Sequence, residues 1–113
     1  MGPRGFEICM DVVEPERVRP FWRVALGYVE KVTDEGAVDL VDPDHVRPTM
    51  WFQRTSQPKT VKNRLHLDIA VPTGGREPLV AELVGVGGTV LAVYPRFTVL
   101  ADPEGNEVCL TED

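Results

Sequence analysis

The sequence repeats one order of patterns twice, and this repetition limits what the chain can fold into. In each half, an alternating apolar segment is followed by an amphipathic segment ending in glycine and then by three short apolar segments. The first unit ends before residue 56 and the second begins after residue 62. At 113 residues the chain has room for one hydrophobic core. We therefore predict one domain in which two βαβββ units close around a shared cavity.

The first strand and the first helix of each unit are the clearest repeats. The predicted strands are residues 5–13 and 64–71, which are rich in apolar and β-branched side chains, and the predicted helices are 15–27 and 77–88. Each helix has proline in its first turn and glycine at its end, namely Pro15, Pro78, Gly27 and Gly87. Pro20 lies inside the first helix, where proline removes a backbone hydrogen bond. We therefore expect that helix to bend or to start late.

Three short strands are expected after each helix, separated by turns that contain Asp, Pro and Gly. They are residues 28–32, 37–41 and 49–55 in the first unit and 89–93, 97–101 and 107–111 in the second. The polar, proline-bearing segment 56–60 is the predicted connection between the units.

Composition narrows the classes of function. The formal net charge of −6 argues against a nucleic-acid interface, which needs a concentrated basic face, and favours a cationic small-molecule ligand. No apolar run approaches the roughly 20 residues of a membrane span. The first residues lack the pattern of a secretion signal, and the two cysteines have neither zinc-motif nor disulfide-framework spacing. We expect a reduced, cytoplasmic protein.

Strand alternation divides polar from apolar side chains. Because side chains point to opposite faces in turn, the apolar rows of the strands must meet the helices. The opposite face then carries Glu7, Asp11, Trp51, Gln53, His66, Asp68 and Cys109. If both units curve in the same sense, these groups line one concave surface.

Three strings carry a resemblance to a known family. They are PER…FW…ALGY within residues 15–28, NRLHLD at 63–68 and FTVLADPEGNE at 97–107. With them the chain resembles the vicinal-oxygen-chelate superfamily, also called the glyoxalase/bleomycin-resistance/dioxygenase superfamily, in its small bacterial glyoxalase-like branch. The resemblance implies an α+β fold in which two tandem βαβββ modules form a curved open cup. It implies a single domain over residues 1–113, with module one at about 1–56 and module two at about 62–113.

The resemblance also indicates where a metal would bind. Metal-using members place one ligand on the first strand and one on the fourth strand of each module, which correspond here to Glu7, Gln53, His66 and Cys109. Gln53 and Cys109 replace carboxylates, so we expect no magnesium, manganese, nickel or iron site. Zinc held by Glu7, His66 and Cys109 is an alternative. In another, His66 is a hydrogen-bonded cavity residue and Cys109 a small packing residue.

Three classes of function remain open. In the first, the cup binds a small molecule without a metal of the family type, and Glu7, Asp11 and Asp68 favour a cationic or hydrogen-bond-donating ligand. In the second, the protein is a lyase, isomerase or hydrolase in which His66 acts as acid or base with Asp68 or Glu7. The third is a regulatory or interaction module without turnover. The resemblance also implies a homodimer, since family members often complete or border their cavities with a second subunit.

Several of these residues also have a plain structural interpretation. Asp68 could orient the His66 imidazole for catalysis, or the two could simply satisfy each other's hydrogen bonds. Trp51 could form an aromatic wall for a ligand or pack in the core. The segment 94–96 could reach over a ligand or form an ordinary turn, and Lys62 lies in a segment expected to be a solvated linker.

Overall fold

Two helices and eight strands make up the fold in the computed structural model, which describes residues 2–112. In chain order the elements are β1 (Ile8–Val12), α1 (Pro15–Leu26), β2 (Val29–Val32), β3 (Val38–Val41), β4 (Met50–Arg54), β5 (Leu67–Val71), α2 (Arg76–Gly85), β6 (Thr89–Val93), β7 (Phe97–Ala101) and β8 (Glu107–Glu112). The predicted βαβββ order is therefore present twice. Neither helix of this part of the chain has the length and apolarity needed to cross a bilayer.

Each module forms its own four-stranded sheet. The strand orders are β1-β4-β3-β2 and β5-β8-β7-β6, so the same topology occurs in both modules. β1 pairs with β4 and β5 with β8 in parallel, and the remaining pairs are antiparallel. This is the α+β fold of two tandem modules that the repetition predicts.

The first helix has the predicted bounds, but Pro20 does not delay its start. It begins at Pro15 and continues through Pro20, so of the two expected effects of Pro20 the late start is wrong. Pro15 stands in the first turn, where its fixed φ suits a helix and its missing N–H would have had no partner. The buried face of this helix, which includes Phe21 and Trp22, offsets the hydrogen bond that Pro20 removes. The predicted cap is confirmed, because Gly27 has a left-handed φ of 69°.

The second helix ends earlier than predicted. Its last residue is Gly85 and its cap is Val86, although Gly87 keeps a positive φ of 98°. β1 and β5 start late by comparison with their predicted bounds, because their pairing with β4 and β8 begins at Ile8 and Leu67. Glu7 and His66 therefore lie immediately before the strands to which the alternation assigns them.

The core joins the two modules. Its largest fully buried side chains come from both halves of the chain and include Phe21, Trp22, Leu40, Met50, Leu83, Leu100 and Leu110. The two helices contact each other, and the backbone at Gly88 lies against the Phe21 ring. The Glu104 carboxylate of module two accepts hydrogen bonds from the backbone N–H groups of Val13 and Glu14, at 2.8 and 2.7 Å, where α1 begins. Side chains of one module thus fix the backbone of the other.

Candidate functional site

Three side chains with different chemistry meet at the start of β5. The Nδ1 atom of His66 lies 3.1 Å from Oδ1 of Asp68. Cys109 is the direct cross-strand neighbour of Asp68 in the parallel β5–β8 pair. One ligand atom from each of these three residues lies within 4.8 Å of the other two. The side chains of His66 and Asp68 are 41% and 61% exposed, so the cluster is open to molecules in solution.

The ionisation of the surrounding groups has clear physical causes. Burial, together with the negative charge of Asp68, raises the pKa of the Cys109 thiol above its usual value. Cys109 is therefore a neutral thiol near pH 7. The hydrogen bond from the Lys62 ammonium lowers the pKa of Glu107, and the two groups form an ion pair. Glu107 is therefore a paired carboxylate at the edge of the cluster.

A cavity of about 250 Å³ lies between the two modules. Cys9 and Asp11 of β1 line one part of it, and Asn63, His66 and Glu107 of module two line another. Apolar side chains of both modules complete the lining. His66 is thus positioned where a molecule between the modules would meet it.

A second cavity of about 290 Å³ lies within module two. Leu91, Val99 and Tyr94 contribute an apolar wall, and Cys109 lies in the same lining. His66 and Glu107 line this cavity as well as the first, so the two cavities share an edge. Together they present apolar walls around a small number of polar groups, as small-molecule sites do.

Tyr94 is an ordered part of this wall. Its ring stacks on that of Phe97 with centroids 4.5 Å apart and an interplanar angle of 22°. Its backbone N–H donates to the Phe97 carbonyl at 2.8 Å, and the side chain is still 47% exposed. The turn at Tyr94 is therefore both an ordinary turn between strands and a wall of the cavity.

The other residues expected at the site lie apart from this cluster. Glu7 is exposed and lines a separate depression with Phe6 and Arg47, and it does not belong to the group of donor atoms within 4.8 Å. Gln53 is exposed and its Oε1 lies 4.0 Å from the Cys9 sulfur. Asp11 lines the first cavity, as described above. Trp51 is half-buried beside Cys9 in the β1–β4 pairing.

Sequence reasoning missed two contributors to the site. Glu107 lies on the Cys109 face of β8, so strand alternation was a signal that could have found it. The sequence predicts a solvated linker at Lys62, but this residue forms an ion pair with Glu107 across 45 positions of sequence. Local sequence patterns do not predict an ion pair between residues so far apart in the chain.

Comparisons with known proteins agree with this architecture. The family model of the glyoxalase-like domain matches residues 7–111. No curated protein matches the sequence.

Solved structures with low sequence identity share the fold. Hypothetical protein SA1046 from S. aureus has a TM-score of 0.78 at 16% identity, over 100% of this chain and 96% of that one. A glyoxalase/bleomycin resistance protein/dioxygenase family enzyme from Burkholderia phytofirmans PsJN has a TM-score of 0.74 at 16% identity, over 94% and 95%. Fosfomycin resistance protein FosX from Mesorhizobium loti has a TM-score of 0.78 at 10% identity, over 97% and 92%. The family match spans nearly the whole chain, and the protein therefore belongs to the glyoxalase-like domain family.

Proposed function

We propose that the protein binds a small organic molecule across the two cavities that share His66 and Glu107. The observation that carries this proposal is the apolar wall of module two facing a few polar side chains. The cavities of about 250 and 290 Å³ together have the size of a small-ligand site. Membership of the glyoxalase-like family is consistent with a site in this place. The proposed binding uses no oxygen-rich metal site of the superfamily type.

The side chains around the cavities indicate the ligand's chemistry. The carboxylates of Asp11 and Asp68 are exposed, whereas Glu107 is already paired with Lys62. They favour a cationic or hydrogen-bond-donating group on the ligand. The exposed face of Tyr94 suits a flat apolar or cationic portion, through stacking or cation–π contact. The proposed ligand therefore combines a planar part with a positively charged or donating group.

Ligand binding can be tested with probes of contrasting charge. We expect planar cationic drugs to raise the melting temperature, because a ligand that binds only the native state stabilises it. Fosfomycin, an anionic phosphonate named in one structural neighbour, should give no shift. Small 2-oxo aldehydes test whether the site instead binds an uncharged ligand. If no cationic probe shifts the melting temperature and the phosphonate does, the charge assignment is wrong.

The aromatic wall gives a sharper version of the test. Tyr94→Ala should weaken binding of the planar cation about tenfold, which corresponds to about 1.4 kcal/mol. Val32→Ala, an exposed strand residue of the other module, is the matched control and should leave the affinity unchanged. Equal affinities of the parent and of the Tyr94 variant, measured by calorimetry, would place the ligand elsewhere.

A second candidate function is acid–base catalysis by His66. The contact between its Nδ1 and Asp68 can fix the imidazole and leave Nε2 for a substrate in the cavities. His66→Gln should then abolish turnover of any accepted 2-oxo aldehyde, and Asp68→Asn should lower kcat with a smaller effect on KM. Unchanged kinetics in both variants, with an intact fold by circular dichroism, would exclude this mechanism.

We also propose that the chain forms a homodimer. Phe6 and Val46, which line one depression with Glu7, are 74% and 82% exposed, and adjoining exposed apolar side chains are typical of an interaction surface. Sedimentation should give twice the chain mass, and Phe6→Lys with Val46→Lys should shift the protein toward the monomer. A parent protein that sediments as a monomer at high concentration would refute the dimer.

A further inference from the structure

The superfamily's metal positions do not form one donor set within this chain. Of the four corresponding residues, His66 and Cys109 lie together, whereas Glu7 lines a different depression. Gln53 carries a neutral amide and contacts Cys9 instead. Magnesium and manganese prefer several oxygen ligands, ideally in octahedral geometry. The residues present therefore do not fit the oxygen-rich site.

A different donor set is present in module two. We propose that this module by itself binds one zinc ion through a ring nitrogen of His66, a carboxylate oxygen of Asp68 and the sulfur of Cys109. Asp68 is not among the positions that correspond to the superfamily's ligands. This site goes beyond the proposed ligand binding and does not depend on it.

The distances suit a single ion. Zinc bonds to nitrogen, oxygen and sulfur are about 2.0 to 2.3 Å, so the ligand atoms of a tetrahedral site lie roughly 3.3 to 3.8 Å apart. The nitrogen and oxygen of His66 and Asp68 are already 3.1 Å apart, and all three donor atoms lie within 4.8 Å. Small rotations of exposed side chains would bring them to zinc distances.

The sheet itself positions the three donors. Asp68 and Cys109 face each other across the parallel β5–β8 pair, and His66 precedes Asp68 by two residues. Their relative placement therefore follows from backbone pairing. His66 and Cys109 also line the cavity of about 290 Å³, so the fourth zinc position is accessible to water or to a ligand.

Charge and proton balance favour zinc over harder ions. Binding forms a zinc–sulfur bond and releases the Cys109 thiol proton to solvent, and the resulting thiolate and the Asp68 carboxylate together neutralise the dication. The soft sulfur adds affinity for zinc and none for magnesium. Zinc binding should therefore release protons, and excess magnesium should not compete.

The experiment uses Co²⁺ as a coloured substitute for zinc in the full chain. We expect one equivalent to produce a thiolate-to-cobalt charge-transfer band, which zinc abolishes and excess Mg²⁺ does not. Chelator competition then measures zinc affinity. Failure of the parent protein to bind zinc at micromolar concentration, or binding without the sulfur band, would overturn the proposal.

The two cysteines provide a matched pair of variants. Cys109→Ser should abolish the band and weaken zinc binding about 100-fold or more, whereas Cys9→Ser should leave both unchanged. Loss of zinc binding in Cys9→Ser but not in Cys109→Ser would overturn the assignment of Cys109 as the sulfur ligand. Serine has nearly the same shape as cysteine, so little change in packing is expected. Equal melting temperatures of the two variants without metal check that the fold is intact.

The acidic residues distinguish this site from the superfamily's. Asp68→Asn should weaken zinc binding at least tenfold, and Glu7→Gln should have no effect. A larger loss in Glu7→Gln than in Asp68→Asn would refute the proposed ligand set. If Cys109→Ser does not fold, His66→Gln, which changes a partly exposed side chain, provides the ligand deletion instead. Unchanged zinc affinity in His66→Gln would also overturn the proposal.

Discussion

The indole Nε1 of Trp22 donates a hydrogen bond of 2.8 Å to Oδ2 of Asp102, linking the two modules across 80 positions of sequence. Both residues are buried. The other oxygen, Oδ1, accepts from the backbone N–H groups of Glu104 and Asn106, at 2.8 and 2.9 Å. The Asp102 carboxylate therefore stabilises the turn that follows it and also binds the first helix of the other module.

Replacing Asp102 should destabilise the whole domain. Asp102→Ala leaves the Trp22 indole and two backbone donors without their acceptor in a buried place, so we expect the free energy of unfolding to fall by about 3 kcal/mol. Urea unfolding measures this change in the free energy of unfolding. Glu35→Ala, in an exposed loop, is the control and should change stability by less than about 0.5 kcal/mol. A similarly small effect in Asp102→Ala would mean that water replaces the lost acceptor.

Two glycines of module two should respond oppositely to alanine. A Cβ at Gly88 would lie 2.6 Å from Cε2 of Phe21 and 2.8 Å from the Leu83 carbonyl oxygen, where neither ring nor backbone has room to move far. Gly88→Ala should therefore cost about 2 to 3 kcal/mol by overpacking. A Cβ at Gly85, the last residue of α2, meets no atom of residues 2–112 within 4 Å, so Gly85→Ala should stabilise the domain by about 0.5 kcal/mol. Thermal unfolding of both variants tests the contact between Gly88 and the Phe21 ring, and equal melting temperatures would contradict it.

Local patterns predicted much of the fold. β6 and β7 have the predicted bounds, Thr89–Val93 and Phe97–Ala101, because alternation and turn residues act over a few positions. The alternation extends the first strand back to Gly5, whereas β1 begins at Ile8, opposite Met50 of β4. Where a strand begins depends on the strand with which it pairs. The sequence of one strand alone does not indicate which strand that is.

The site was partly predictable for the same reason. Alternation assigns Asp68 and Cys109 to one face, and the structure places them opposite each other in the β5–β8 pair. The separation of Glu7 from His66 depends on how the two modules pack, which rests on tertiary contacts such as that between Trp22 and Asp102. Periodicity within strands does not contain that information.

Asp42 should make stability fall in acid. Hydrogen bonds from the Arg47 guanidinium, and then from the backbone N–H groups of Asp44 and Arg47, hold the pKa of Asp42 far below its usual value. Since the unfolded chain binds this proton more readily, the contribution of Asp42 is fully present above the usual pKa of about 3.9 and is lost as the pH falls further toward the folded-state pKa. We expect the free energy of unfolding to drop between about pH 4 and pH 2.

Two variants check this assignment. Asp42→Asn removes the titrating group, and Arg47→Met removes the largest cause of its low pKa. Both should flatten the dependence of urea unfolding on pH below about pH 4, although both also lower stability at neutral pH. A parent-like slope in Asp42→Asn would assign the acid sensitivity to other carboxylates.

The two modules use the same turn with different residues. His45 and Gly105 both donate their N–H, at 2.9 Å, to the carbonyl of an Asp three positions earlier, and both have positive φ, 56° and 90°. A left-handed conformation costs an L-residue roughly 1 to 2 kcal/mol, whereas glycine loses roughly 0.5 to 1 kcal/mol more entropy on folding.

His45→Gly should therefore raise the free energy of unfolding by about 0.5 to 1 kcal/mol. Gly105→Ala should lower it by a similar amount, about 0.5 to 1 kcal/mol, because the entropy gained from replacing glycine offsets part of the left-handed cost. A Cβ at Gly105 meets no atom of the described residues within 4 Å, so backbone conformation alone would cause that loss. Urea unfolding of both variants in one buffer gives the comparison, and a destabilised His45→Gly would show that the imidazole makes a compensating interaction.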